Sequence, residues 1–298
     1  MRNFLLIFTA LGLVFGLRMA KAQEQSYKVV LDFPRWPAGM KCGAVSAVAI
    51  SSAGEVIVGH RSGPPISVFS KEGDHIRSFG ENVFNAIHGV RVDKDDQIWA
   101  TDMTRHIVVK MDVRGRVLMT VGERDVPGED GKHFNRPTDV AVAPNGDFFV
   151  SDGYGNSRIV KFDGKGNFIK AWGHRGVGKG LFHLPHAIVL NDQGQVCVAD
   201  RENNRIQIFD AEGGFSRQIE GCTPYGLGLG SDGKLYIADG RAHKVLRMTQ
   251  AGAIETSWGT KGSAPGEFNM PHGIAVGSDG SVYVAEINGE RLQKFEPR

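Results

Sequence analysis

"NMPHGIAVGSDGSVYVAE" (Asn269–Glu286) holds two short runs of alternating apolar residues around a Ser-Asp-Gly turn. Period-two alternation marks strands with one buried face, and Asp-Gly between two such runs marks a tight hairpin. The phrase recurs. With the residue at the His272 position as anchor, Glu286 stands fourteen residues further on. At the same spacing His88 leads to Asp102, Thr138 to Asp152, His186 to Asp200 and Tyr225 to Asp239, and a more divergent copy runs from Ser46 to His60. The anchors are 42, 50, 48, 39 and 47 residues apart.

Each unit continues in the same way. After the hairpin come a loop, a third run such as "RIQIF" or "KVLRM", a Gly turn and a fourth run such as "FIKAWG" or "IETSWG". Four short strands every 40–50 residues are the blade of a β-propeller, so six units predict an all-β, six-bladed propeller. Glycine, at 40 of 298 residues, is about twice as frequent as in ordinary chains, as many tight turns require. The last unit stops after its third strand at "RLQKFEPR", and "YKVVLDF" (Tyr27–Phe33) is a spare strand near the start. That N-terminal strand is expected to complete the last blade and cover its open edge.

Residues 1–22 read as a cleavable signal peptide: a basic start at Arg2, an apolar run from Phe4 to Leu17, and Ala20-Lys21-Ala22 as the cleavage site. The run is too short to span a bilayer, so a secreted or periplasmic chain with no integral membrane segment is expected, its propeller filling residues 23–298. Without the leader's three basic residues, 32 basic face 33 acidic residues, a balance that gives no basic surface for nucleic acid. Cys42, Cys197 and Cys222 are an odd number, so at most one disulfide forms.

The first strand of a propeller blade lines the axis, so the six anchors form a ring: Ser46, His88, Thr138, His186, Tyr225, His272. Histidine occupies alternate blades, and alternate positions on a six-fold ring converge about a pseudo-threefold axis. Three neutral imidazoles with an open fourth position are the ligand set of a catalytic zinc site. The other histidines, including His60, His106, His133 and His243, fall in loops or at strand ends and read as solvated or structural. The repeated Asp102, Asp152, Asp200 and Asp239 read as residues that tie down the loop after them.

"VADxxNxRI" and the apolar phrase after each anchor resemble the NHL-repeat propellers, over the whole length after the leader. "FNRPTDVAVAPNGDFFVSDGYGNSRIVKF", "VCVADRENNRIQIF" and "SAVAISSAGEVIVGHR" resemble one branch, the peptidyl-α-hydroxyglycine α-amidating lyases. The resemblance implies zinc on His88, His186 and His272, and catalytic roles for Arg61, Tyr154 and Met270. It also implies Ca2+ on the backbone carbonyls of Val48 and Val90, together with an aspartate where this chain has Gly273. Two disulfides of the animal enzymes fall on Asn135 with Gly155 and on Cys197 with Ile208, which cannot form them here.

The implied reaction cleaves a C-terminal α-hydroxyglycine, on a small molecule or a peptide, into an amide and glyoxylate. Zinc would acidify the hydroxyl and Tyr154 would serve as base. An isolated phenol is a poor base at neutral pH, so that role calls for a nearby cation, for which Arg61 is the candidate. Six blades use up the chain, so a separate hydroxylase is expected to supply the substrate. Two other readings stand beside this one: a non-catalytic NHL scaffold binding protein or peptide partners, and a lactonase-like hydrolase, whose usual carboxylate and amide ligands this anchor ring lacks.

Overall fold

The computed structural model describes residues 26–40 and 43–298. The leader expected over residues 1–22 and Cys42, with any pairing it makes, lie outside the described residues. Six four-stranded antiparallel sheets follow one another along the chain. Their inner strands are Val45–Ile50, Ile87–Val92, Asp139–Val142, Pro185–Leu190, Pro224–Leu229 and Pro271–Val276, and these define blades 1 to 6. The chain is a six-bladed β-propeller.

The sheets are held to one another by burial. Six apolar clusters occupy the six gaps between adjacent blades, among them Ala47, Ile57 and Val68 of blade 1 against Ile87, Val90 and Ile98 of blade 2. The sixth blade closes as expected: Tyr27–Val30 pairs antiparallel with Arg291–Pro297, from Tyr27↔Pro297 to Val30↔Lys294. The pairing ends at Val30, short of Phe33. Phe33 turns instead into the cluster between blades 6 and 1, against Tyr283.

In blades 2 to 6 an acidic residue ends the second strand and is buried, and in blade 1 the position is His60. The carboxylate ties the loop before the inner strand as well as the one after. Asp102 accepts from the Asn85 and Ala86 amides and from those of Thr104 and Arg105. Asp200 binds the His183 amide, Asn203 and Arg205. In blades 3 and 4 both loops at that rim are therefore pinned to the strand ends from which Tyr154 and Arg201 emerge, whereas Arg61 follows His60.

The two pairs of positions to which the resemblance assigns disulfides are spatial neighbours. Gly155 donates its amide to the Asn135 carbonyl at 2.9 Å, and Cys197 is the cross-strand partner of Ile208. Cys197 and Cys222 are both buried free thiols, pushed up to about 12 by burial.

Candidate active site

Each histidine anchor sits at a register break. The pairing of the inner strand with its neighbour skips one residue between Ile87 and Gly89, between Pro185 and Ala187, and between Pro271 and Gly273. The skipped residues are His88, His186 and His272. A bulge of this kind re-aims a side chain that regular pleating would send to a face of the sheet, into the gap between blades, and here the three imidazoles meet instead.

Across the gap, each ring is fixed by the next blade. His88 Nδ1 lies 2.7 Å from the Thr138 carbonyl, His186 Nδ1 2.5 Å from that of Tyr225, and His272 Nδ1 2.7 Å from that of Ser46. A carbonyl only accepts, so each Nδ1 carries the proton and each Nε2 presents a lone pair. The hydroxyl anchors make equivalent bonds, Ser46 Oγ to the Ile87 carbonyl and Thr138 Oγ1 to that of Pro185.

The three rings form a near-equilateral triangle, with centroids 4.6, 4.7 and 4.8 Å apart. All three are buried. Burial holds His88 and His186 well below the ordinary imidazole range, reinforced for His88 by His272 and Arg61 and for His186 by His88 and His272. It lowers His272 to about 3, with Arg61 adding to the effect. Neutral rings with Nδ1–H leave no proton between His88 Nε2 and His186 Nε2, which are 3.2 Å apart. Two lone pairs facing one another repel unless a cation lies between them. Tetrahedral zinc with Zn–N bonds of about 2.0–2.1 Å needs nitrogens about 3.3–3.4 Å apart, so the donor set fits a metal ion. It is the one such group of His, Cys, Asp or Glu side chains among the described residues.

Tyr154 and Arg61 both reach this centre. The Tyr154 hydroxyl lies 3.3 Å from His88 Nε2 and 3.2 Å from His186 Nε2. Arg61 Nη2 donates to His272 Nε2 at 3.1 Å, while its buried Nε has no hydrogen-bond partner. The cations on Tyr154 are other than expected. Arg201 Nη1 is 3.5 Å from the Tyr154 hydroxyl, and the guanidinium groups of Arg136 and Arg201 lie 5.3 and 5.7 Å from its ring centre.

Arg201 follows Asp200 as Arg61 follows His60, so the repeat register places both at one position. That register was the signal that could have singled it out. Met270 is half-buried: its amide donates to His243 Nδ1 at 3.3 Å, its carbonyl accepts from Ile287, and its φ of 60° is left-handed. His106 plays the part of His243 for Arg136.

The calcium donors fit poorly. Gly273 offers no carboxylate, and a Cβ added there would lie 2.7 Å from the Ser46 carbonyl oxygen and 2.8 Å from Ala47 Cα. No longer side chain can be accommodated without moving backbone.

Fold and site together define a six-bladed propeller with a buried three-histidine centre on its axis. NHL repeat models match residues 134–162, 182–209 and 268–295. A probable peptidyl-α-hydroxyglycine α-amidating lyase of Caenorhabditis elegans is 37% identical over 238 residues, covering 70% of this chain and 67% of that protein. A peptidyl-glycine α-amidating monooxygenase of Xenopus laevis is 42% identical over 180 residues, covering 56% of this chain and 19% of the frog protein. The chain thus spans about a fifth of the length of that larger relative. A solved streptogramin B lyase shares the fold, with a TM-score of 0.65 at 17% identity over 91% of this chain and 98% of that one. This chain belongs to the peptidyl-α-hydroxyglycine α-amidating lyase family and is a lyase-type enzyme.

Proposed function

We propose that this protein cleaves N-acyl-α-hydroxyglycines, including peptides ending in that group, to an amide and glyoxylate, with zinc on His88, His186 and His272. The observation that carries this reading is the convergence of three neutral Nε2 lone pairs on one buried point, beside the Tyr154 hydroxyl and an arginine with an unpartnered Nε. Zinc held there would act as a Lewis acid on the substrate hydroxyl and orient it.

The remaining work falls to side chains of this chain. The substrate carboxylate is an anion that needs cationic donors in a dry site. Arg61 supplies them with its free Nε, and it gives up the His272 lone pair when the three rings share a cation. Tyr154 accepts the hydroxyl proton and returns it to the departing amide nitrogen, so no proton is gained or lost overall and no redox cofactor is needed. Arg201, against the Tyr154 oxygen, steadies the phenolate that takes the proton in the first transfer and is formed again by the second. A separate hydroxylase would have to supply the hydroxylated substrate, and the leader read over residues 1–22 would place the reaction outside the cytoplasm.

The test combines metal analysis with glyoxylate release from a small N-acyl-α-hydroxyglycine. Wild type is expected to hold about one zinc per chain and to release glyoxylate. His186→Ala should lose both. Tyr154→Phe should keep the metal and lose about 10²–10⁴-fold in kcat. A zinc-free, inactive wild type overturns the reading.

A further inference from the structure

The axial channel contains an ion pair that the histidine centre does not use. Arg91 stands three residues beyond His88 on the inner strand of blade 2 and lines the same channel. Its Nε donates to Asp139 Oδ1 at 3.1 Å and its Nη2 to Asp139 Oδ2 at 2.5 Å. The same Nη2 meets the carbonyls of Ile188 at 3.3 Å and Leu227 at 3.0 Å. One guanidinium thus joins blades 2, 3, 4 and 5. Asp139 also accepts from the amides of Val140 at 2.9 Å and Ile188 at 3.1 Å, and is nearly closed off from solvent.

The repeat register shows what this pair replaces. Ile188 and Leu227 lie two residues beyond their anchors, as do Val48 and Val90, whose carbonyls the family resemblance assigns to calcium. Asp139 lies one residue beyond its anchor, as does Gly273. The carboxylate expected on blade 6 therefore has its register counterpart on blade 3, directly opposite in a six-bladed ring. A carboxylate beside a ring of carbonyls is an oxygen-rich site for a hard cation, and here a cation of the chain itself fills it.

We propose that the Arg91 guanidinium is the built-in cation of this channel, paired with Asp139 and the inner-strand carbonyls, so that the propeller closes its axis without calcium. This is independent of which metal the histidines hold.

The experiment uses the full protein as purified, in buffer freed of calcium by a chelating resin, and reads calcium content and thermal midpoint as calcium chloride is added. Wild type is expected to contain no calcium and to show an unmoved midpoint. Arg91→Met leaves a buried carboxylate without its counter-charge, and the midpoint should fall by about 5–10 °C. Added calcium should then raise it again. The double variant Arg91→Met/Asp139→Asn should have lost that calcium response. A wild type that holds about one calcium per chain or is stabilised by calcium overturns the proposal. So does an Arg91→Met protein with an unchanged midpoint and no calcium response. If Arg91→Met fails to fold, the wild-type calcium content and titration still decide.

Discussion

At the scale of single residues, the histidine centre makes the metal-free protein sensitive to acid. An imidazole in the unfolded chain titrates near 6.5, whereas burial holds His88 and His186 well below that and His272 at about 3. Above pH 6.5 the rings are neutral in both states and contribute no pH dependence. As pH falls below 6.5 the unfolded chain takes up protons that the folded one refuses, so stability drops with falling pH down to about 3. Urea midpoints of chelator-stripped protein should therefore decline through this window, and a triple His→Gln variant should decline less. Equal slopes would show that the rings titrate normally in the folded state. Arg201 gives a second prediction at this scale. Lysine keeps its charge but loses the planar fork that meets Tyr154. Arg201→Lys should lower kcat by about ten- to a hundredfold with zinc content unchanged. A variant that raised KM alone would assign Arg201 to substrate binding and remove it from the proton transfer.

At the scale of elements, the rim is shaped by left-handed residues placed two before the anchors. Arg136, Leu184 and Met270 have φ of 62°, 70° and 60°, and their carbonyls accept from Tyr154, Arg201 and Ile287 in the loops leaving the second strands. The carbonyls of Ala44 and Ala86, which are not left-handed, meet Arg61 and Met103 in the same way, so the left-handed backbone is one of two ways in which these blades make that bond. A β-branched side chain is poorly tolerated in that conformation and glycine is at ease in it. Met270→Ile should cost about 1–3 kcal/mol by urea denaturation, and Met270→Gly should cost little or none. If Met270→Gly also keeps its rate of glyoxylate release, the methionine is there for its backbone. This layer was only partly legible in the sequence. The fourteen-residue spacing reports two strands and a hairpin in fixed register, which is why the blades and the His88, His186, His272 set could be read from it. The one-residue bulge that aims each imidazole leaves no mark on that spacing. Arg201 carried the register of Arg61, yet "RENNR" also reads as an ordinary repeat loop. Arg91 gave no signal, because a long side chain crossing a channel depends on distances between blades and on nothing local.

At the scale of the whole molecule, the ring has a single covalent gap, and one short strand closes it. Tyr27–Val30 joins the last three strands of the chain to its beginning. Its main anchor is Tyr27, which is buried, stacks on Trp258 at 4.4 Å and shares a 3.0 Å hydrogen bond with the Tyr236 hydroxyl. These contacts cross from blade 6 to blade 5, so losing them loosens an interface as well as exposing an edge strand. The histidine triangle spans that ring: His272 on blade 6 is oriented by the Ser46 carbonyl of blade 1. A propeller that springs open between its ends must therefore separate His272 from the carbonyl that sets its tautomer. Tyr27→Ala should cost about 3 kcal/mol, and removing the chain through Val30 should cost more. Both should weaken zinc retention, measured as metal lost during dialysis, although neither touches a ligand. Removal through Val30 that left thermal midpoint and metal content unchanged would show that blade 6 is stable with three strands and that the closing strand has no part in holding the centre together.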